Sequence, residues 1–308
     1  MMIGRNDAID PSCPLPHTAV WHNTCYDRPV VTNTNGRQLF TGILSLLLVY
    51  VAAFGATAPP SIAVSVRQAE GELHGFLVLR TLEGVNIADG ELTQKTHGSQ
   101  VTSRLTFHFK DGSVQDETTV FSQRGHFRVL TDHLVQRGST FKHPIDMSIN
   151  ASTGMVTVHY QDDHGNEKIE SAHMEIPPDL GNGIVQILLK NLGGDQPTLT
   201  VPMVVATPKP LLVKLAISAE GEDPFTTGGV ARKATRYVVK VNIGGVKGVV
   251  APLVGKQPQD LHVWMLRGEC PSVVKTEGPL YEGGPIWRTE LVSPAWPKGA
   301  VETTGRKK

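Results

Sequence analysis

The run Val101–Gln136, VTSRLTFHFKDGSVQDETTVFSQRGHFRVLTDHLVQ, decides the fold of this chain. Apolar and polar residues alternate with period two on either side of Asp111-Gly112 and Arg124-Gly125. Such alternation is the mark of strands with one buried face, and glycine supplies the positive φ that tight hairpins need. The pattern extends back to Leu73 through His97-Gly98 and Glu83-Gly84. Residues 73–136 are therefore expected to form an antiparallel meander of about five strands.

Two-residue turns would fix the register by counting. Phe109 would face Val114, Phe107 would face Asp116, and Val129 would face Val120. One face would carry Val101, Leu105, Phe107, Phe109, Val114, Val120, Phe127, Val129 and Val135 as core. The other would carry Arg104, Thr106, His108, Gln115, Glu117, Thr119, Arg128 and Asp132 in solvent, with Glu91 opposite Arg104. Asp116 and His133 would meet directly on the apolar face, each supplying the partner that a buried polar group requires. This pair is a candidate buried polar contact or ligand-binding site. It also allows a hydrolase in which Asp116 orients His133 toward water, Thr118 or Thr131.

Beyond the meander, strands are expected over Asp146–Glu175, then near Leu199–Ala206, Leu211–Ser218, Thr235–Ile243, Leu261–Leu266, Val273–Thr276 and Trp287–Val292. Thr207–Pro210 and Glu220–Gly229 are the expected breaks. Between the strands lies one amphipathic helix near 178–192, opened by Pro177-Pro178-Asp179 and closed by Gly193-Gly194. The fold class is thus mainly β: a curved antiparallel meander or half-barrel with one helix.

The N-terminal organisation is set by Leu39–Ala58, LFTGILSLLLVYVAAFGATA, which follows Arg37. One positive charge, an apolar core and Ala56-Thr57-Ala58 make a signal peptide over 37–58 with cleavage after Ala58. A stretch of about 20 residues can also span roughly 30 Å of hydrocarbon, so an uncleaved membrane anchor is the alternative. Residues 1–36 read as a disordered extension or the product of too early a start, 59–297 as one large β-rich domain, and 298–308 as a disordered polar tail. The expected destination is the periplasm or the cell exterior.

Residues 1–58 hold three basic and three acidic residues of the 29 of each, so the remainder stays uncharged overall. That balance provides no electrostatic footprint for nucleic acid. Past the signal only Cys270 remains, which precludes an intramolecular disulfide. No Gly-x-Ser-x-Gly, His-Glu-x-x-His or Cys-x-x-Cys occurs. Gly255-Lys256 lacks the first glycine and the hydroxyl of a phosphate loop. His159, Asp162, Asp163, His164 and His173 cluster locally, yet an ordinary polar turn has the same composition, and no cofactor or metal is assigned. Aromatics gather late, at Tyr237, Trp264, Tyr281, Trp287 and Trp296; Trp264 lies in an alternating strand and is the candidate pocket aromatic.

The segments FHFKDGS (Phe107–Ser113), DETTVFSQ (Asp116–Gln123) and GVVAPLVGKQPQDLHVW (Gly248–Trp264) resemble a family of exported bacterial β-rich proteins of unknown function. The resemblance implies an envelope setting and, by architecture, a likeness to lipoprotein carriers in which a curved sheet wraps a helix. It carries over no catalytic residue. The expected function is an envelope binding module for a lipid-like or other hydrophobic small molecule; a structural envelope protein with a packed core is the alternative.

Overall fold

The computed structural model describes residues 63–162, 164–193, 198–242, 258–268 and 270–292. The expected signal peptide, the N-terminal extension, the polar tail, Trp296 and Gly255-Lys256 lie outside the described residues. In chain order the strands are β1 (Leu73–Thr81), β2 (Asn86–His97), β3 (Gln100–Phe109), β4 (Val114–Arg124) and β5 (His126–Arg137). There follow β6 (Ile145–Asn150), β7 (Met155–Gln161), β8 (Glu167–His173) and the helix α1 (Val185–Lys190). The chain then returns through β9 (Thr198–Val205), β10 (Leu211–Thr227), β11 (Val230–Asn242), β12 (Leu261–Leu266), β13 (Ser272–Gly278) and β14 (Trp287–Leu291).

All fourteen strands form one antiparallel sheet in the order β8-β7-β6-β5-β4-β3-β2-β1-β14-β13-β12-β11-β10-β9. The mainly-β reading with a curved meander and one helix holds. The sheet is not closed into a barrel: β8 and β9 stand at its two ends. One buried cluster nevertheless joins Val101, Phe121, Val129 and Val156 from the first half to Val201, Ile217, Val239 and Val263 from the second. The two halves therefore curl toward each other with Ile187, Leu188 and Leu189 of α1 between them.

The hairpins depart from two-residue turns, and this moves side chains between faces. Phe109 N–H donates to Ser113 O at 2.9 Å and Gly112 N–H to Phe109 O at 3.0 Å, closing a three-residue loop over Lys110, Asp111 and Gly112. Gly112 supplies the positive φ of 85° that ends such a loop in a bulge. Asp111 stiffens it by accepting hydrogen bonds from Ser113, Ser139 and Thr140. The extra residue shifts the pairing by one, so Phe107 faces Gln115 and Leu105 faces Glu117. Between β4 and β5 the turn shifts by one, and a bulge after Val120 shifts by one again. Between β2 and β3, His97 pairs with Gln100, so Glu91 faces Thr106 instead of Arg104.

Two further expectations are corrected. The helix is shorter than 178–192, because residues before it are held in turns by Pro177-Pro178 and by Gly183, whose φ is 64°. Most of Glu220–Gly229 is not a break: β10 runs on to Thr227, absorbing the irregularity as a bulge between Ala219 and Gly221, and only Gly228-Gly229 turn.

Residues 64–70 fasten the helix to the meander. Arg67 and Gln68 donate their backbone amides to Asn191 Oδ1 at 2.9 and 2.6 Å, and Asn191 Nδ2 donates to Ile187 O. Lys190 Nζ lies 2.8 Å from Glu70 Oε2, and Gln123 exchanges two hydrogen bonds with the Glu70 backbone. Arg267 donates to Leu189 O and Leu192 O, satisfying carbonyls that a helix end leaves open.

Candidate functional site

On the face that the helix covers, side chains follow one another across β2–β5 in three adjacent rows. The first row is Gln94–Ser103–Thr119–Asp132. The second is Leu92–Leu105–Glu117–Leu134, and the third holds Phe107, Gln115 and Gln136. The second row continues into Met147 and Val158, which are buried under the helix. At the opposite end of the sheet a second buried cluster, built on Leu79, Phe107, Phe109, Phe141 and Trp287, closes the interior.

Between these two cores the inner face is less deeply buried. Leu92 and Leu134 are only half-buried although they point inward, and neither belongs to either core. Leu105 and Glu117 beside them also retain accessible surface. A carboxyl group and three leucines thus lie half-buried on the inner face of the sheet. Under the helix the situation differs: the cleft bounded by Val64, Phe127, Leu188 and Val201 leaves about 10 Å³, room for one water.

Buried polar groups adjoin this row. Asp132 is 1% exposed, and its Oδ1 accepts the Thr119 hydroxyl at 2.6 Å. Its Oδ2 has no hydrogen-bond partner among the described residues. Asn182, whose amide exchanges hydrogen bonds with the Val204 backbone, lies beside it. Gly183 passes so close that an added Cβ would collide with Thr119. Glu117 is the diagonal neighbour of Asp132 on the same face, a geometry that places such residues about 7–8 Å apart. Gln136 bridges Gln115 and Leu280 O at 3.0 and 2.8 Å.

Glu117 is half-buried on this inner face, where the surrounding protein weakens the solvation of its charge. Burial, with the Asp132 charge adding to it, pushes the Glu117 carboxyl up to about 8. Burial also raises Asp132, to about 6, opposed by the Thr119 hydroxyl, His133 and Asn182. Burial thus favours the neutral form of both carboxyls, and the two titrate as one coupled pair. No described cation forms a salt bridge with either carboxylate.

The structure places the sequence-derived residues elsewhere. Asp116 faces Val135, and His133 faces Thr118, so the expected direct pairing is not formed. Two one-residue shifts, in the turn and at the bulge, move the partner by two positions. Both side chains lie on the outer face. Arg104 donates to Asp116 Oδ1 and Oδ2 from Nε at 3.0 Å and holds its carboxyl below the usual range. His133 Nε2 lies 2.9 Å from Asp146 Oδ1, and both are about half exposed. Trp264 is buried on the face opposite the helix, in a small cluster with Phe225, Ala234 and Val274. Its Nε1 donates to Asp223 Oδ2 at 2.6 Å, and Lys275 Nζ stands 3.7 Å over its ring.

The local His–Asp cluster is spread out. Asp162 pins its own turn by accepting from the amides of His164 and Asn166, while His159, His164 and His173 are exposed; Asp163 lies outside the described residues. Among the described residues no three His, Cys, Asp or Glu side chains gather to hold a metal.

No family model matches the chain, and no curated protein matches it. Among solved structures, the chain is similar to a crystal structure of a beta-barrel-like protein of a domain of unknown function, DUF1849, from Brucella abortus. That likeness has a TM-score of 0.38 at 8% sequence identity and covers 74% of this chain and 100% of the other.

Proposed function

We propose that this chain is an envelope binding module that holds a lipid-like or other hydrophobic small molecule against the inner face of its curved sheet. The observation that carries the reading is the inward row Leu92–Leu105–Glu117–Leu134, left half-buried between the two cores. Native interiors are close-packed, so Leu92 and Leu134, inward yet outside both cores, forgo dispersion contacts that a bound apolar chain would restore. Small-molecule sites have this character: mostly apolar walls with a few placed polar groups. Export, which supplies the setting, rests on the Leu39–Ala58 signal.

The alternative of a structural protein with a packed core is favoured by the sealed region under α1, where residues such as Leu189 and Val204 are fully buried. Titration with the neutral fluorophore N-phenyl-1-naphthylamine separates the two. Saturable binding at one site per chain is expected. In Leu134→Trp, which crowds this row, affinity should fall at least tenfold while circular dichroism and Tm stay near wild type. Absence of saturable binding to the folded wild-type protein would refute the binding reading.

A further inference from the structure

The turn Gly181–Gly183 is wedged between the two halves of the sheet. On one side it grips β9. Gly181 N–H donates to Pro202 O at 2.8 Å, Asn182 Nδ2 to Val204 O at 2.9 Å, and Val204 N–H to Asn182 Oδ1 at 2.8 Å. On the other side it lies against the meander, where a Cβ on Gly183 would collide with Thr119 and fall 3.1 Å from Asp132 Oδ1. A Cβ on Gly181 would likewise strike Val201. β9 pairs with neither β4 nor β5, so the turn links the end of the sheet to the meander across the interior.

Asp132 and its diagonal neighbour Glu117 are the ionisable groups at this contact. Asp132 is 1% exposed, and its Oδ2 has no hydrogen-bond partner among the described residues. The inner face brings the pair no countercharge: the turn presents Asn182 and Gly183, β3 presents Ser103 and Leu105, and β6 presents Met147 and Ile149. Lys190 of α1 is held by Glu70, and Arg267 by carbonyls of the helix end. His133 acts on Asp132 from the outer face, where it is paired with Asp146.

We infer that Gly181–Gly183 is a pH-sensitive latch, which holds β9 to the meander while Glu117 and Asp132 are neutral and releases it when both ionise. Two neighbouring negative charges repel, and a buried carboxylate without water or a cation is costly. Lifting the turn admits water to both and relieves that cost. Burial raises both groups, so release comes on the alkaline side, as pH climbs past about 8.

Hydrogen exchange at pH 6 and pH 9, with each rate corrected for the intrinsic effect of pH, tests this. The Gly181 and Val204 amides, both bonded across the latch, should lose protection about tenfold or more between the two. At pH 9 they should also exchange about tenfold or more ahead of the β3 amides paired with β2, since a local opening costs less than global unfolding. In Glu117→Gln and in Glu117→Gln/Asp132→Asn the loss should shrink to within about threefold; the single variant, at a half-buried position, decides the matter if the double variant does not fold. Unchanged latch protection in wild type would overturn the latch. Exchange of the latch in step with β3 at pH 9 would overturn it too, because the opening would then be that of the whole fold. A full loss persisting in Glu117→Gln would overturn the assignment to this pair.

Discussion

At the residue scale, the consequential groups are Glu117 and Asp132, because each is held nearer its neutral form than an exposed carboxyl would be. Their folded-state values of about 8 and about 6 lie above the ordinary values of 4.5 and 3.8. Between those limits the folded chain keeps protons that the unfolded chain has released. Raising pH therefore favours unfolding: the contribution is full below about 4 and is lost as pH climbs toward 8. The carboxyls held low, such as Asp116 beside Arg104, act oppositely, since their contribution disappears only as pH falls through the acid range. Urea unfolding midpoints measured from pH 5 to pH 8 should decline for wild type. The decline should be smaller in Glu117→Gln, which has no proton to lose, and that variant should exceed wild type at pH 8. A wild-type midpoint that rises over this interval, or an identical slope in the variant, would show that Glu117 ionises normally.

At the scale of elements, the strands and most turns were legible in the sequence, and their faces were not. Alternation around Asp111-Gly112 specifies a hairpin, but a loop of two or three residues is equally consistent with glycine there, and one residue inverts every face. That single uncertainty sent Gln115, Glu117, Thr119 and Asp132 to solvent on paper and placed Asp116 inside. Phe121 held the missing signal: it shares the parity of Glu117 and Thr119, and a large aromatic belongs in the core. The bulge after Val120 had no comparable mark, and the long run of β10 through Asp223-Pro224 overrode a composition that reads as loop. The attachment of α1 was likewise hidden, since Asn191 reaches residues more than a hundred positions away. Asn191 is 1% exposed and serves Arg67, Gln68 and Ile187 together. Asn191→Ala should cost about 1–3 kcal/mol in urea unfolding, the usual cost of stranding buried partners. It should also speed hydrogen exchange at the Arg67 and Gln68 amides. Unchanged exchange there would mean that the segment is held by its other contacts.

For the whole molecule, one sheet of fourteen strands among the described residues folds its two halves around a short helix and buries two main cores on its inner face. The ends of the sheet are guarded rather than joined. β8 carries Glu167, Lys168 and Glu170 in solvent, the kind of charged edge that discourages pairing between chains. This architecture leaves the row Leu92–Leu105–Glu117–Leu134 half-buried on the inner face between the two cores. The most direct measurement is a crystal soaked with 1-bromooctane and read by bromine anomalous scattering. The expected result is one bromine peak on the inner face, within van der Waals reach of Leu92, Leu105 or Leu134. Bromine found only on the outer surface would contradict the account.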